Sequence, residues 1–172
     1  MRSWPTRLVR LARHRWIDDT RLRRIISRDM LERLEQRIAA SERRHGGQVR
    51  ICVEGGLPAS YVWRDAAPRE RAVMMFGKLR IWDTQHNNGV LIYLLLAERA
   101  IEIVADRGID ARVSGEDWKL LTRHMSDAFR AGCFEQGLTQ ALDEVTALLA
   151  AHFPRQGGDE VPNELPDAPV VI

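Results

Sequence analysis

The chain has 172 residues, of which 45% are hydrophobic and 29% charged, and its net charge is +2. This is the composition of a globular protein long enough for one domain with extensions. Two cysteines exclude a disulfide framework, and no apolar run approaches the ~18 residues that a membrane span needs.

The charge is unevenly spread. Residues 1–28 hold nine Arg against two Asp, so the remainder is net acidic. The positive balance belongs to an N-terminal arm, residues 1–28, and points to an anionic partner for that arm alone. Within it, Trp4, Leu8, Leu11, Ala12 and Trp16 recur at helical spacing, with Arg7, Arg10, Arg13, His14 and Arg15 on the other side. Arg-rich helices edged by Trp suit an anionic membrane surface, and Arg7, Arg10, Arg13, Arg15, Trp4 and Trp16 are the candidate binding residues. The two tryptophans make nucleic acid the less favoured partner. The competing reading is a helix packed on its own domain with Arg on the wet side. The first 30 residues lack an uninterrupted apolar stretch, so no secretory signal is visible. A cytoplasmic location is expected, peripheral at the inner membrane face if the arm binds lipid, with Cys52 and Cys133 reduced.

Asp29 to His45 reads as the first domain helix, with an apolar stripe of Met30, Leu31, Leu34, Ile38 and Ala39 and a stop at Gly46-Gly47. Gln48 to Glu54 alternates like a strand. Pro68 suits the first turn of the next helix, whose buried face is Ala72, Val73, Phe76 and Leu79. Asn87-Asn88-Gly89 is a turn signal. It opens two apolar runs, Val90 to Leu96 and Ile101 to Ala105, separated only by Ala97-Glu98-Arg99-Ala100. So short a connection predicts an antiparallel hairpin. The first run is apolar at nearly every position, as in a strand covered on both faces. Ser114-Gly115-Glu116-Asp117 resembles a capping box for a helix that turns Trp118, Leu121, Met125, Ala128 and Phe129 inward. Gly132 breaks it, and Phe134 to Leu149 supplies the last helix. Residues 154–172 are rich in Pro, Gly and acidic side chains and are expected to be disordered. The order helix-strand-helix-strand-strand-helix-helix predicts an α/β domain over 29–153, with the first two strands parallel and the third antiparallel.

No P-loop, nucleophile elbow, His-Glu-x-x-His or Cys-x-x-Cys motif is present. Polar loops do gather near strand ends: Glu54 to Asp65, Asp83 to Asn88, and Asp106 to Asp110. The antiparallel hairpin places the second and third at one sheet edge. Asp83, Asp106 and Asp110 are therefore the candidate hard-oxygen ligands for Ca²⁺ or Mg²⁺. Ordinary turn and cap chemistry is the competing account of the same residues.

The segment NNGVLIYLLLAERAIEIVADRGI resembles the core of the TPM-domain family: an Asn-Gly-Val-Leu opening, an apolar strand, a Glu-Arg turn, a second strand and a Gly-containing exit. Ala72 to Leu79 resembles the helix before that core. Phe129, Gly132, Phe134 and Gly137-Leu138 resemble the stretch leading to the family's last helix. The resemblance covers about residues 29 to 152 and implies a three-layer α/β/α sandwich with a small mixed sheet. It also implies work beside membranes, as in photosystem repair, receptor biogenesis or bacterial envelope systems. Many members carry a signal peptide and an anchor, neither of which is visible here. Some have been assigned acid phosphatase activity with divalent metal in acidic loops. Two departures weigh against that chemistry. Ser27-Arg28-Asp29 replaces the family's Asp-x-x-Gly before the first helix, and Asp106-Arg107-Gly108 replaces a Gly-x-Gly after the third strand. The Arg107 guanidinium can pair with Asp106 or Asp110 and take the place of a metal. The expectation is thus a non-catalytic interaction module, needing no cofactor, for a protein partner at a membrane-protein assembly. The alternative is a metal-dependent phosphatase.

Overall fold

The computed structural model describes residues 4–17, 19–155 and 162–172. Two helices, α1 (Trp4–Trp16) and α2 (Asp19–Ile25), form the arm. Helix α3 (Arg28–Glu42) starts where the Ser27 hydroxyl accepts the Met30 N–H. It ends three residues short of the expected His45. Strand β1 (Gln48–Glu54) follows, then a short α4 (Ala59–Trp63) and α5 (Pro68–Lys78), with Pro68 in the first turn. Strand β2 (Gly89–Leu95) turns through a 3₁₀ segment, Leu96–Glu98, into β3 (Ala100–Ala105). Arg99 closes that turn in the left-handed region, at φ 49°. A four-residue helix, α6 (Arg107–Asp110), lies where the sequence suggested a loop. Ser114 then caps α7 (Gly115–Ala131), Gly132 ends it at φ 82°, and α8 (Phe134–His152) completes the helices.

The sheet is mixed. Strand β1 pairs parallel with β2 from Gln48↔Gly89 to Glu54↔Leu95. Strand β3 runs antiparallel to β2, with Val90 opposite Ala105 and Leu95 opposite Ala100. The order is β3-β2-β1-β4. The fourth strand corrects the expectation of a disordered tail. Val170–Val171 forms β4, parallel to β1 with Cys52↔Val170 and Val53↔Val171. The run Val-Val-Ile has strong strand preference, and β1 would otherwise leave an unpaired edge. Upstream of it, Gln48 Oε1 accepts from the Glu164 and Leu165 N–H groups, and Arg50 donates to the Ala168 carbonyl.

Period-two alternation sorts the strands into two cores. Val49, Ile51, Val53, Val90, Ile92 and Leu94 face a layer built from α3, α7 and α8, including Leu34, Ile38, Phe129 and Leu142. Cys52, Leu91, Tyr93 and Leu95 face the other layer, with Val62, Ala72 and Met75 from α4 and α5. Strand β2 is buried at all seven positions, as expected for a strand covered on both sides. Helices therefore sit above and below the sheet. The Met125 side chain, expected to point inward, lies outside the described residues.

Candidate functional site

Ligands of open α/β sheets usually bind beyond the carboxyl ends of parallel strands. Here that edge lies where β1 ends at Glu54 and β2 runs into its turn, and the arm packs against it. Arg10 is only 5% exposed. It donates from Nε to Glu98 Oε1 at 2.6 Å, from Nη1 to Asp65 Oδ1 at 3.0 Å and from Nη2 to the Ala66 carbonyl at 2.7 Å. His14, one turn later, is also buried. Its Nδ1 accepts the Leu57 N–H at 2.9 Å, so Nε2 carries the proton and donates to Glu98 Oε1 at 2.9 Å. Gly56 permits the contact, because a Cβ there would stand 2.4 Å from the His14 carbonyl oxygen. Burial pushes the Glu98 carboxyl up, but hydrogen bonds from His14 and Arg10 outweigh it and hold the pKa down at about 2.

This docking corrects the expected facing of the arm. Arg10, a candidate lipid contact, is turned into the domain. Outward lie Leu8, Val9, Ala12, Arg13, Arg15 and Trp16, the last 72% exposed. Leu11 is half-buried against the α4–α5 core. The candidate side chains of Trp4 and Arg7 lie outside the described residues. The physical reason is long-range: two carboxylates, 55 and 88 positions away, satisfy one buried guanidinium.

At the opposite edge the second and third polar loops are neighbours, as the hairpin requires. The Asp106 N–H reaches the Gly89 carbonyl at 2.9 Å, and the Gly108 N–H reaches the Asn87 carbonyl at 3.0 Å. Gly108 is obligatory here, since a Cβ would meet the Asn87 oxygen at 2.5 Å. The three candidate metal ligands do not share a task. Asp83 is exposed and pairs with Arg80 at 2.7 Å. Asp106 is buried and caps α6, its Oδ1 accepting the Arg107 N–H at 2.7 Å. Asp110 is exposed at the end of α6. The Arg107 guanidinium donates from Nε to Asn87 Oδ1 at 3.3 Å, and it is the backbone N–H of Arg107, not the side chain, that meets Asp106. Among the described residues, no group of three or more His, Cys, Asp or Glu side chains is arranged to hold a metal ion. The residues present do not fit a carboxylate-rich metal centre, and no reaction step through one follows.

A buried ionic network absent from the sequence reading lies under α5. Arg71 donates twice to Glu54, at 2.8 Å from Nε and 2.6 Å from Nη2, and the Tyr93 hydroxyl donates to the same carboxylate at 2.6 Å. Burial, reinforced by the Glu54 charge, pushes the Tyr93 phenol well above its ordinary range. No local signal marks Glu54 or Arg71, which meet only through the β1–α5 crossover. For the arm clamp, the sole local trace is the four-residue spacing of Arg10 and His14.

A mixed sheet between helical layers, with Asn-Asn-Gly and Asp-Arg-Gly turns locked together at one edge, defines a small α/β/α domain of a recurrent kind. The TPM domain family profile matches residues 20–148, and the chain belongs to that family. The chain is also similar to the BA42 protein of the psychrophilic bacterium Bizionia argentinensis, solved by NMR. The identity is 26%, with 83% of this chain and 92% of that one covered at a TM-score of 0.72. No curated protein matches the chain. Among the described residues, no helix is long and apolar enough to cross a membrane.

Proposed function

We propose that the protein is a non-catalytic TPM-domain module. Its arm rests on an anionic membrane surface while the domain contacts a protein partner in a membrane-protein assembly. The observation that carries this reading is the clamp of Arg10 and His14 on Glu98, Asp65 and Leu57. It ties up the polar groups at the end of β1 and in the β2–β3 turn, and holds α1 with Leu8, Val9, Arg13, Arg15 and Trp16 outward. Cationic and aromatic side chains on one exposed helix match acidic headgroups and the interfacial zone. On the side of the rival, a Ca²⁺- or Mg²⁺-dependent phosphatase, stand two buried oxygens without hydrogen-bond partners, Asp106 Oδ2 and Asn88 Oδ1.

The test is co-sedimentation of the full chain with phosphatidylglycerol vesicles and with phosphatidylcholine vesicles. Binding is expected to the anionic vesicles alone, to weaken with salt, and to fail in Leu8→Asp with Arg15→Glu. Absence of binding in the unaltered protein sinks the membrane reading. Hydrolysis of p-nitrophenyl phosphate with Ca²⁺ or Mg²⁺, lost on Asp106→Asn, sinks the non-catalytic one.

A further inference from the structure

A groove of about 730 Å³ separates the arm from the β2–β3 turn. Val9, Ala12 and Trp16 line it from α1, Ile25 from α2, Leu96 from the turn and Phe134 from the start of α8. Leu96 is buried and forms the floor, while Trp16 stands largely open to solvent. Three exposed guanidinium side chains also line the groove: Arg13, Arg21 and Arg99. Among the described residues of the lining, the one acidic side chain is Glu98, whose charge is already met by Arg10 at 2.6 Å and by a proton from His14 at 2.9 Å. Among the described residues the groove is apolar in its depth and carries guanidinium groups at its mouth, where Arg99 donates from Nη1 to the Arg130 carbonyl at 2.7 Å.

We propose that this groove binds a free long-chain fatty acid, with its chain along Ile25, Leu96 and Phe134 and its carboxylate among Arg13, Arg21 and Arg99. The volume falls within the range of small-ligand sites, which are apolar with a few polar groups fixing orientation. It suits one acyl chain and a compact head rather than a two-chain lipid. A planar carboxylate matches the fork of a guanidinium better than a neutral head would. The ligand is taken from solution, and although Val9, Arg13 and Trp16 serve both the groove and the membrane reading, Leu8 and Arg15 of the membrane face do not line the groove.

The experiment titrates the delipidated full chain with palmitate below its micellar concentration and follows Trp fluorescence and displacement of a fluorescent fatty acid. One saturable site per chain is expected. Methyl palmitate, which lacks the charge, is expected to bind about tenfold more weakly or worse, a loss of roughly 1.4 kcal/mol. Arg21→Glu with Arg99→Glu is expected to reduce palmitate affinity by a similar factor. Ala12→Phe, at an exposed helix position, fills the space and should abolish binding whether or not the charge variant folds. Leu8→Asp with Arg15→Glu should lose vesicle binding and keep palmitate, which separates the two proposals. Unsaturable uptake, equal binding of the methyl ester, or undiminished affinity in Ala12→Phe overturns the inference.

Discussion

Glu42 shows how burial can dominate a side chain's behaviour. Its Oε1 accepts the Val49 N–H at 2.9 Å. Burial raises its pKa to about 7, with the neighbouring Asp167 adding to the shift. An acid whose folded pKa lies above its unfolded value favours the folded state while protonated. Its contribution therefore falls as pH rises from about 4.5 through about 7. Glu42→Gln keeps an oxygen for Val49 and removes the ionisation. It should raise stability at pH 8 by on the order of 2 kcal/mol and change it little at pH 4.5. Urea unfolding at the two pH values checks this, and an equal effect at both would refute it. Burial acts the other way on His45, holding it down at about 4, so its contribution is lost as pH falls from 6.5 through 4. In the Glu54–Arg71–Tyr93 network the partners matter more than any single group. Arg71→Met leaves a buried carboxylate without its cation and should cost about 3–5 kcal/mol, with Glu54→Gln in the same chain recovering part of it. Additive losses in that double variant would show the pair to be uncoupled. Cys52 is buried and unpaired, and burial pushes its thiol to about 12. A thiol reagent should label the exposed Cys133 within minutes and Cys52 only on unfolding. Equal rates would place the β1 strand in frequent opening.

At the scale of elements, legibility followed locality. The hairpin could be read because its two strands and turn lie within 17 residues, Gly89 to Ala105, and every hydrogen bond is short in sequence. Helix α7 could be read from Ser114 and Gly132, which act on their own termini. Strand β4 could not: two residues give no periodicity, and their partner is the far edge of β1. Composition marks the tail as polar, yet its last residues are Val170, Val171 and Ile172. The docking of this end has a consequence for stability. The Gly55 N–H donates to the Ile172 carbonyl, and the Ile172 N–H donates to the Val53 carbonyl, at 2.8 and 2.9 Å. Removing residues 168–172 frees these groups and bares Cys52 and Val53 at the sheet edge. The truncated chain should lose about 1–3 kcal/mol and aggregate more readily on heating. Unchanged thermal unfolding would mean that β1 tolerates an open edge. The candidate acidic site was half legible for the same reason. The hairpin predicts that Asp106 neighbours the Asn87-Asn88-Gly89 turn, but not that Asp106 spends its carboxylate on capping α6.

For the whole molecule, the decisive relation is between a basic arm and an acidic body, which the charge distribution announced without saying where they meet. They meet at Glu98, in the turn between β2 and β3, where Arg10 and His14 converge on one oxygen. The family match begins at residue 20, so α1 lies outside the shared domain and is fastened to it chiefly by these two side chains. The Glu98 carboxyl is held at about 2, below the 4.5 of an unperturbed group. A depressed acid contributes above its unfolded pKa and loses that contribution as pH falls through the folded one. Acid should therefore weaken the arm between about pH 4.5 and 2, while β1 and β2 are packed mostly by apolar contacts that do not titrate. Hydrogen exchange, expressed as protection factors, reads this directly. Protection of α1 amides should be high at pH 6 and drop towards pH 3 ahead of β1 and β2. In Glu98→Gln the guanidinium loses the nearer of its two charged partners and keeps Asp65. Protection in α1 should then be low at both pH values, with β1 and β2 unaltered. Equal α1 protection in the variant and the unaltered chain would show that Leu11 and Ile17, rather than the ionic clamp, hold the arm.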